Sequence, residues 1–538
     1  MDDSTGLTRR RALGLLAGAT AATIVAACSH SSGGPAPVSS AAASTGGSPV
    51  PVASSATATA KASKAADWRS LRRKLHGSLS RPGSTGYDEA RLLFDRRFDS
   101  VMPAAIARVA SEADVAQCLS FAEHYRLPVR LRSGGHSYIG ASTGPGLVID
   151  LRSLTGLTVD SGAGTATIGA GAALVDVYNE LAQHGVSIPA GSCPSVGLSG
   201  LTLGGGIGVV ARRYGLTCDR LTEARVVTAD GTTLTCNATS HSDLYWALRG
   251  GGGSFGVVTS MTLGTHAADP LAHAFVAWPW SAAAQVVTAW QPWATAAPHS
   301  LWSSAHVLAT DGTGSATISV AAVMVAGSSA LQQQIGKLVQ NIPTAPTTNF
   351  VGSASYESTM MLESGCSTLS VQACHVAAET PGGTLPRDAF VAGSDFFTDP
   401  IPAAGVNALV AAVAKRQSDP RLGAGGASLD ILGGAVDDLA ADATAWVHRG
   451  SLFDAQYTAS WGTTPGNGPL ARNQHSLASI HGTLRPYASG GAYQNYADDT
   501  LPNPQKSYYG ANLARLIDVR RTYDPNRVFT QLQGVPLS

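Results

Sequence analysis

The 538-residue chain has no excess of either charge: 36 Lys and Arg are matched by 36 Asp and Glu, so the formal net charge is zero. Charged residues make up only 13% of it and form no basic stripe, which excludes nucleic acid as a partner. No apolar run reaches the length of a comfortable membrane span; Ala12 to Ala27 is too short and rich in small residues. The seven cysteines show no metal-ligand spacing. No glycine-rich loop closes with Gly-Lys-Ser/Thr, which excludes a P-loop. Gly250 to Gly253 follow a helical pattern and precede a strand-like one, the reverse of a Rossmann unit, so a nicotinamide enzyme is set aside.

What remains is a chain long enough for two or three domains and a large core. Its first residues read as targeting, not structure. Arg9-Arg10-Arg11 precedes the short apolar run, a twin-arginine-like pattern, and Val25-Ala26-Ala27-Cys28 resembles a bacterial lipobox. The expectation is an export signal over 1–27, lipid on Cys28, and a Ser/Ala/Gly/Pro tether over 28–66. The protein would then work outside the cytoplasm, touching the membrane only through that lipid. In such a compartment Cys366 can pair with Cys374, and Cys218 with Cys236, while Cys118 reads as a buried apolar residue.

Periodicity places alternating helices and strands after residue 67. Ile106 to Ala110 reads as a strand, and Ser111-Glu112-Ala113-Asp114 as a capping box opening a helix to about Tyr125. Leu174, Val177, Tyr178 and Leu181 recur at helical spacing before Gly185. Thr228 to Thr232 joins a hairpin, and Ser240 to Asp243 is a second capping-box pattern.

The most informative stretch is Arg132-Ser133-Gly134-Gly135-His136-Ser137-Tyr138, a glycine pair and an imidazole directly after a strand-like segment. Paired glycines let backbone N–H groups close around an anion such as a pyrophosphate. A second such loop, Gly191-Ser192-Cys193-Pro194-Ser195-Val196-Gly197, leads to Gly200 and Gly204-Gly205-Gly206. It adds a sulfur nucleophile.

With Leu244 to Thr259, Tyr493-Gln494-Asn495-Tyr496 and Tyr508 to Asn512 following in order, the chain resembles the berberine-bridge-enzyme-like flavin oxidases of the vanillyl-alcohol oxidase/p-cresol methylhydroxylase fold. The resemblance implies an α+β protein. A two-subdomain FAD-binding domain would span 67–265 and a substrate domain 266–470, built on a large antiparallel sheet backed by helices. Residues 471–538 would return to the first domain.

It further implies bicovalent FAD, on the ring methyl through His136 and on ring carbon C6 through Cys193. Arg132, Ser133, Gly134, Gly135, Ser137, Val196, Gly197, Gly200, Gly204, Gly205, Gly208, Val258 and Asn495 would surround the cofactor. Tyr496 would be the base. A free tyrosine titrates near pH 10, so this role calls for neighbours that lower its pKa. Tyr457 would also line the site, with Gln456 assisting; the bland alternative is interface packing. No glutamate stands where the reticuline-cyclising members have one, so ring closure is not expected. Val196, three residues past the flavin-linked cysteine, marks an oxidase in this family.

The expected reaction is oxidation of an alcohol carbon of a small molecule, a sugar or secondary metabolite, with O2 reduced to H2O2. The alternatives are a dehydrogenase with another acceptor, or a silent binding protein on the same scaffold. Trp278, Trp280, Trp290, Trp293 and Trp302 are candidate sugar platforms or core.

Overall fold

A computed structural model describes residues 66–311, 314–377, 379–462 and 469–538. The stretches expected to be an export signal and a tether, with Cys28 between them, lie almost wholly outside the described residues.

The first half carries two sheets. Leu147–Asp150, buried at every residue, pairs in parallel with both Ala105–Arg108 and Val129–Arg132, and Ser78–Ser80 closes the edge. Helix Glu112–Tyr125 covers this sheet. The Ser111 hydroxyl accepts the Asp114 N–H, but the Asp114 carboxylate does not return to Ser111. It accepts the N–H groups of His76, Gly77 and Ala110, so the expected capping box is half formed and its acid fastens a neighbouring strand.

The second sheet is antiparallel, in the order Leu157–Asp160, Thr165–Gly169, Val257–Gly264, Leu221–Val227, Thr233–Asn237. Helix Leu174–Gln183 buries Leu174, Val177, Tyr178 and Leu181 as their spacing predicts. Helix Ser242–Ala247 starts after Ser240, contrary to the capping-box expectation. Asn237 takes the Thr239 and Ser240 N–H groups first, and His241, at φ 48°, leads into the helix without a side-chain cap.

The second half is built on seven antiparallel strands, in the order Thr348–Ala354, Leu271–Trp278, Thr317–Met324, Leu301–Ala309, Gly425–Ile431, Phe453–Ser460, Phe390–Phe397. The two faces of this sheet meet different neighbours, because successive side chains alternate. Helices Ala283–Ala296, Ala403–Gln417 and Leu470–Leu484 cover one face; the indole N–H of Trp290 donates to Ser303 there. The other face looks onto the glycine-rich loops of the first half.

Helix Leu470–Leu484 packs on the strands Phe390–Phe397 and Phe453–Ser460, so it belongs to the sheet's helical cover. The boundary expected near 471 therefore moves past Tyr487, after which the chain crosses back. Helix Leu513–Tyr523 then packs on Ser242–Ala247 with Leu516 buried. The architecture is α+β, a sheet-and-helix cofactor layer facing an antiparallel roof.

Cys366 and Cys374 form a disulfide. Cys218 and Cys236 do not pair: each is a free thiol in a different apolar cluster. Among the described residues, no helix is long and apolar enough to cross a membrane and no cluster of His, Cys, Asp or Glu is arranged to hold a metal.

Candidate active site

The two glycine-rich loops meet backbone to backbone. A Cβ on Gly134 would stand 2.2 Å from the Gly197 nitrogen and 2.6 Å from the Ser195 carbonyl oxygen, so only glycine permits the contact. Gly135 adds a positive φ of 73°. Together the loops wall a cavity of about 320 Å³, within the range of ligand pockets.

The N–H groups of Gly134, Gly135, His136, Ser137 and Tyr138 donate to no protein group among the described residues. All five residues line that cavity. A row of unspent donors in a protein interior calls for an anionic or carbonyl-bearing ligand. Among the described residues no Lys or Arg side chain lines the cavity, so these dipoles would carry the recognition of a diphosphate. The residues fit FAD.

His136 and Cys193 both face this space. The His136 ring stacks on Phe94 at 4.3 Å and shares a hydrogen bond of 2.9 Å between Nε2 and the Ser195 hydroxyl, leaving Nδ1 without a partner among the described residues. Burial pushes its pKa down to about 3, so the imidazole is neutral and keeps a nucleophilic lone pair. Cys193 lies in the wall of the same cavity, on the second glycine-rich loop. Ser137, Val196, Gly197, Gly200, Gly204, Val258 and Asn495 line the cavity as the resemblance implies, and so do Gly252 and Gly253, set aside on sequence grounds.

Several expected contacts take other roles. Arg132 is buried away from the cavity, where its guanidinium donates to the Ala90 and Ser142 carbonyls; it anchors the loop instead of touching the cofactor. Ser133 lines the cavity as expected, but its hydroxyl is spent on the Ala170 carbonyl. Gly205 and Gly208 sit behind the wall, against Trp446 and the Ala190 carbonyl, and let the chain bend.

On the roof, the strand Phe453–Ser460 presents Gln456 and Thr458 to the cavity. Gln456 donates from Nε2 to the Tyr138 hydroxyl at 3.0 Å. The Tyr138 ring lies parallel to Tyr496, 5.9 Å away. Tyr457 points the other way, by the alternation of the strand. It stacks on His481 of helix Leu470–Leu484 and donates to Asp395 at 3.3 Å, so it is excluded from the site.

Tyr496 lines the cavity, but its surroundings do not lower its pKa as expected. Burial, then the Asp454 and Asp430 carboxylates, hold it well above the usual tyrosine range. Burial also raises Tyr138, and only the Gln456 hydrogen bond favours its ionised form.

Sequence reasoning passed over Tyr138, although it completes the quoted motif. It also passed over Asp454, two residues before Gln456 and therefore on the same face. The signal was the strand's period of two, which separates 454, 456 and 458 from 457. Of the five tryptophans, Trp302 shares the cavity-facing side of the sheet with His306, while Trp290 and Trp293 bond into the helical cover.

Residues 103–237 match the FAD binding domain family and residues 492–536 the berberine and berberine like family. An uncharacterized FAD-linked oxidoreductase of Bacillus subtilis, YgaK, is 31% identical over 471 residues, covering 86% of this chain and 97% of that protein. Berberine bridge enzyme-like 4 of Arabidopsis thaliana is 30% identical, covering 76% and 80%. The structure of a chitooligosaccharide oxidase superposes with a TM-score of 0.76 at 26% identity, covering 87% of this chain and 98% of that one.

Proposed function

Since the chain belongs to the berberine bridge enzyme-like FAD-linked oxidoreductases, we propose that it is an oxidase of an alcohol carbon with its flavin attached at both His136 and Cys193. The observation that carries this reading is the convergence of His136, Cys193, Tyr138, Gln456 and Tyr496 on one cavity whose loop donors are unspent.

The chemistry FAD supplies when bound is two-electron oxidation of the substrate carbon, with dioxygen as final acceptor and hydrogen peroxide as product. His136, neutral and fixed by Phe94 and Ser195, would hold one edge of the ring. Cys193 would hold the other through its sulfur, which is nucleophilic as a thiolate. The glycine loops would bind the diphosphate through backbone N–H groups. Tyr138, on the His136 loop, and Tyr496 would both face the substrate hydroxyl across the cavity, with Gln456 reaching Tyr138 from the roof. Gln456 stabilises the Tyr138 phenolate by donating to its oxygen, which suits Tyr138 to accept the substrate's proton. Val196, in the cavity wall, is the residue type that accompanies oxidases in this family, which favours the oxidase over a dehydrogenase.

An extracytoplasmic, lipid-anchored location is part of this reading, on the strength of Arg9-Arg10 and Cys28 alone. Oxygen uptake with stoichiometric peroxide across a panel of sugars, amino sugars and benzylic alcohols tests the activity. Dye reduction without oxygen uptake would make the protein a dehydrogenase; neither response, with flavin bound, would reject alcohol oxidation.

A further inference from the structure

The roof carries a charge arrangement that alcohol oxidation alone does not call for. Asp430 and Asp454 are direct cross-strand partners on the face that presents Gln456, which puts their Cβ atoms about 5 Å apart. Like charges opposed in this way destabilise a sheet. Asp454 is fully buried, and neither of its carboxylate oxygens has a hydrogen-bond partner. Asp430 keeps part of its surface open, as does Glu363 at the end of helix Tyr356–Glu363, close enough for the Asp430 charge to act on it.

No guanidinium or ammonium is among the groups acting on these three acids. The imidazole on the same face, His306, is bonded to Ser428 and kept neutral by burial, its pKa pushed down to about 4. Burial and the Asp430 charge hold the Asp454 carboxyl well above the usual carboxylate range, and burial pushes Asp430 up to about 6, so the pair shares a proton and keeps one buried negative charge at neutral pH, a cost that a cationic ligand removes. The three acids do not converge in a metal-binding arrangement. A monovalent, hydrogen-bonding cation satisfies them: an ammonium has three donors for the bare oxygens.

We propose that Asp454 and Asp430 bind the protonated amine of the substrate, which makes the substrate an amine-bearing alcohol. This deepens, and rests on, the oxidase reading above. The same two carboxylates are the largest charge influences on Tyr496, and they disfavour its ionisation in the free site. An ammonium between them cancels that influence, so the base is released when the right substrate arrives. A neutral polyol leaves it suppressed.

The test is calorimetric titration of the isolated full-length protein with matched pairs at neutral pH: 2-phenylethylamine against 2-phenylethanol, 5-aminopentanol against 1,5-pentanediol, and glucosamine against glucose. The expected result is at least tenfold tighter binding of the amine in one or more pairs. Asp454→Asn and, independently, Asp430→Asn should abolish that preference while the far-ultraviolet spectrum and melting midpoint stay near wild type. Amines binding no tighter than alcohols in every pair would overturn the proposal, as would a preference that survives both substitutions. Flavin content, measured on the same samples, is a separate readout. Protein without flavin would sink the oxidase reading, while the calorimetry would still decide whether the site selects cations.

Discussion

Gln456 reaches across from the roof to donate a hydrogen bond to the Tyr138 hydroxyl, 3.0 Å away, joining the antiparallel sheet to the loop that carries His136. The bond has a chemical sense as well as a mechanical one. A donor to a phenol oxygen favours the phenolate and opposes the burial that holds Tyr138 protonated.

Tyr138→Phe should slow anaerobic flavin reduction by a substrate by about 100-fold or more, the scale of general-base catalysis. Gln456→Met, which keeps the base but removes its donor, should cost about tenfold and move the alkaline rise in rate to higher pH. Stopped-flow reduction across pH 6 to 10 checks both. Rates within threefold of wild type for Tyr138→Phe would leave Tyr496 as the sole base.

The contact between Gly134 and Gly197 makes a sharper structural test. Gly134→Ala drives a methyl into backbone at 2.2 Å, with no flexible side chain to yield. The loops should separate and the protein should emerge without flavin. Gly336→Ala is the control: it lies in helix Ser328–Gln340 with open space around it, so alanine should keep the flavin and add about 0.5–1 kcal/mol of helix propensity. Flavin absorbance per chain after denaturation reads both.

Val196 sits in the cavity wall. Val196→Leu fills space that oxygen needs, so reoxidation of the reduced protein by oxygen should slow by tenfold or more while reduction by substrate changes little. Equal loss in both half-reactions would mean that the residue shapes the cavity generally and does not gate oxygen.

Asp388 lies at the cavity edge, where burial pushes its pKa up to about 7 despite the Ser460 hydroxyl that donates to it. The folded state therefore holds a proton that the unfolded chain has released, and stability falls as pH rises from about 4 to about 7. The ceiling for this contribution is about 4 kcal/mol. Asp388→Asn should flatten the melting midpoint across that window, with the largest gain above pH 7. An unchanged slope would assign the pH dependence to other groups, Asp95 first among them.

The cofactor layer was legible in the sequence because its function is written in local signals. Glycines that must admit a backbone neighbour cannot be replaced, so the loops around Gly134 and Gly197 stand out. Helix Leu174–Gln183 was readable from its apolar spacing alone. The roof was less so, since what matters there is which face of a strand a residue takes and what lies opposite it. Tyr457 and Gln456 are adjacent in sequence yet end in the helical cover and the cavity respectively. The pairing of Asp430 with Asp454 spans 24 positions and exists only in the register of the sheet. The Cys218 and Cys236 pairing failed for the same reason: sequence proximity says nothing about which cluster buries a thiol. The boundary near 471 was misplaced because a helix that covers a sheet has the same periodicity wherever it packs.

The most direct measurement is peptide mapping by mass spectrometry of the denatured, purified protein. A single FAD joining the peptides that contain His136 and Cys193 is the expected result. FAD lost completely on denaturation, with both peptides unmodified, would contradict covalent attachment at the residues on which the site was built.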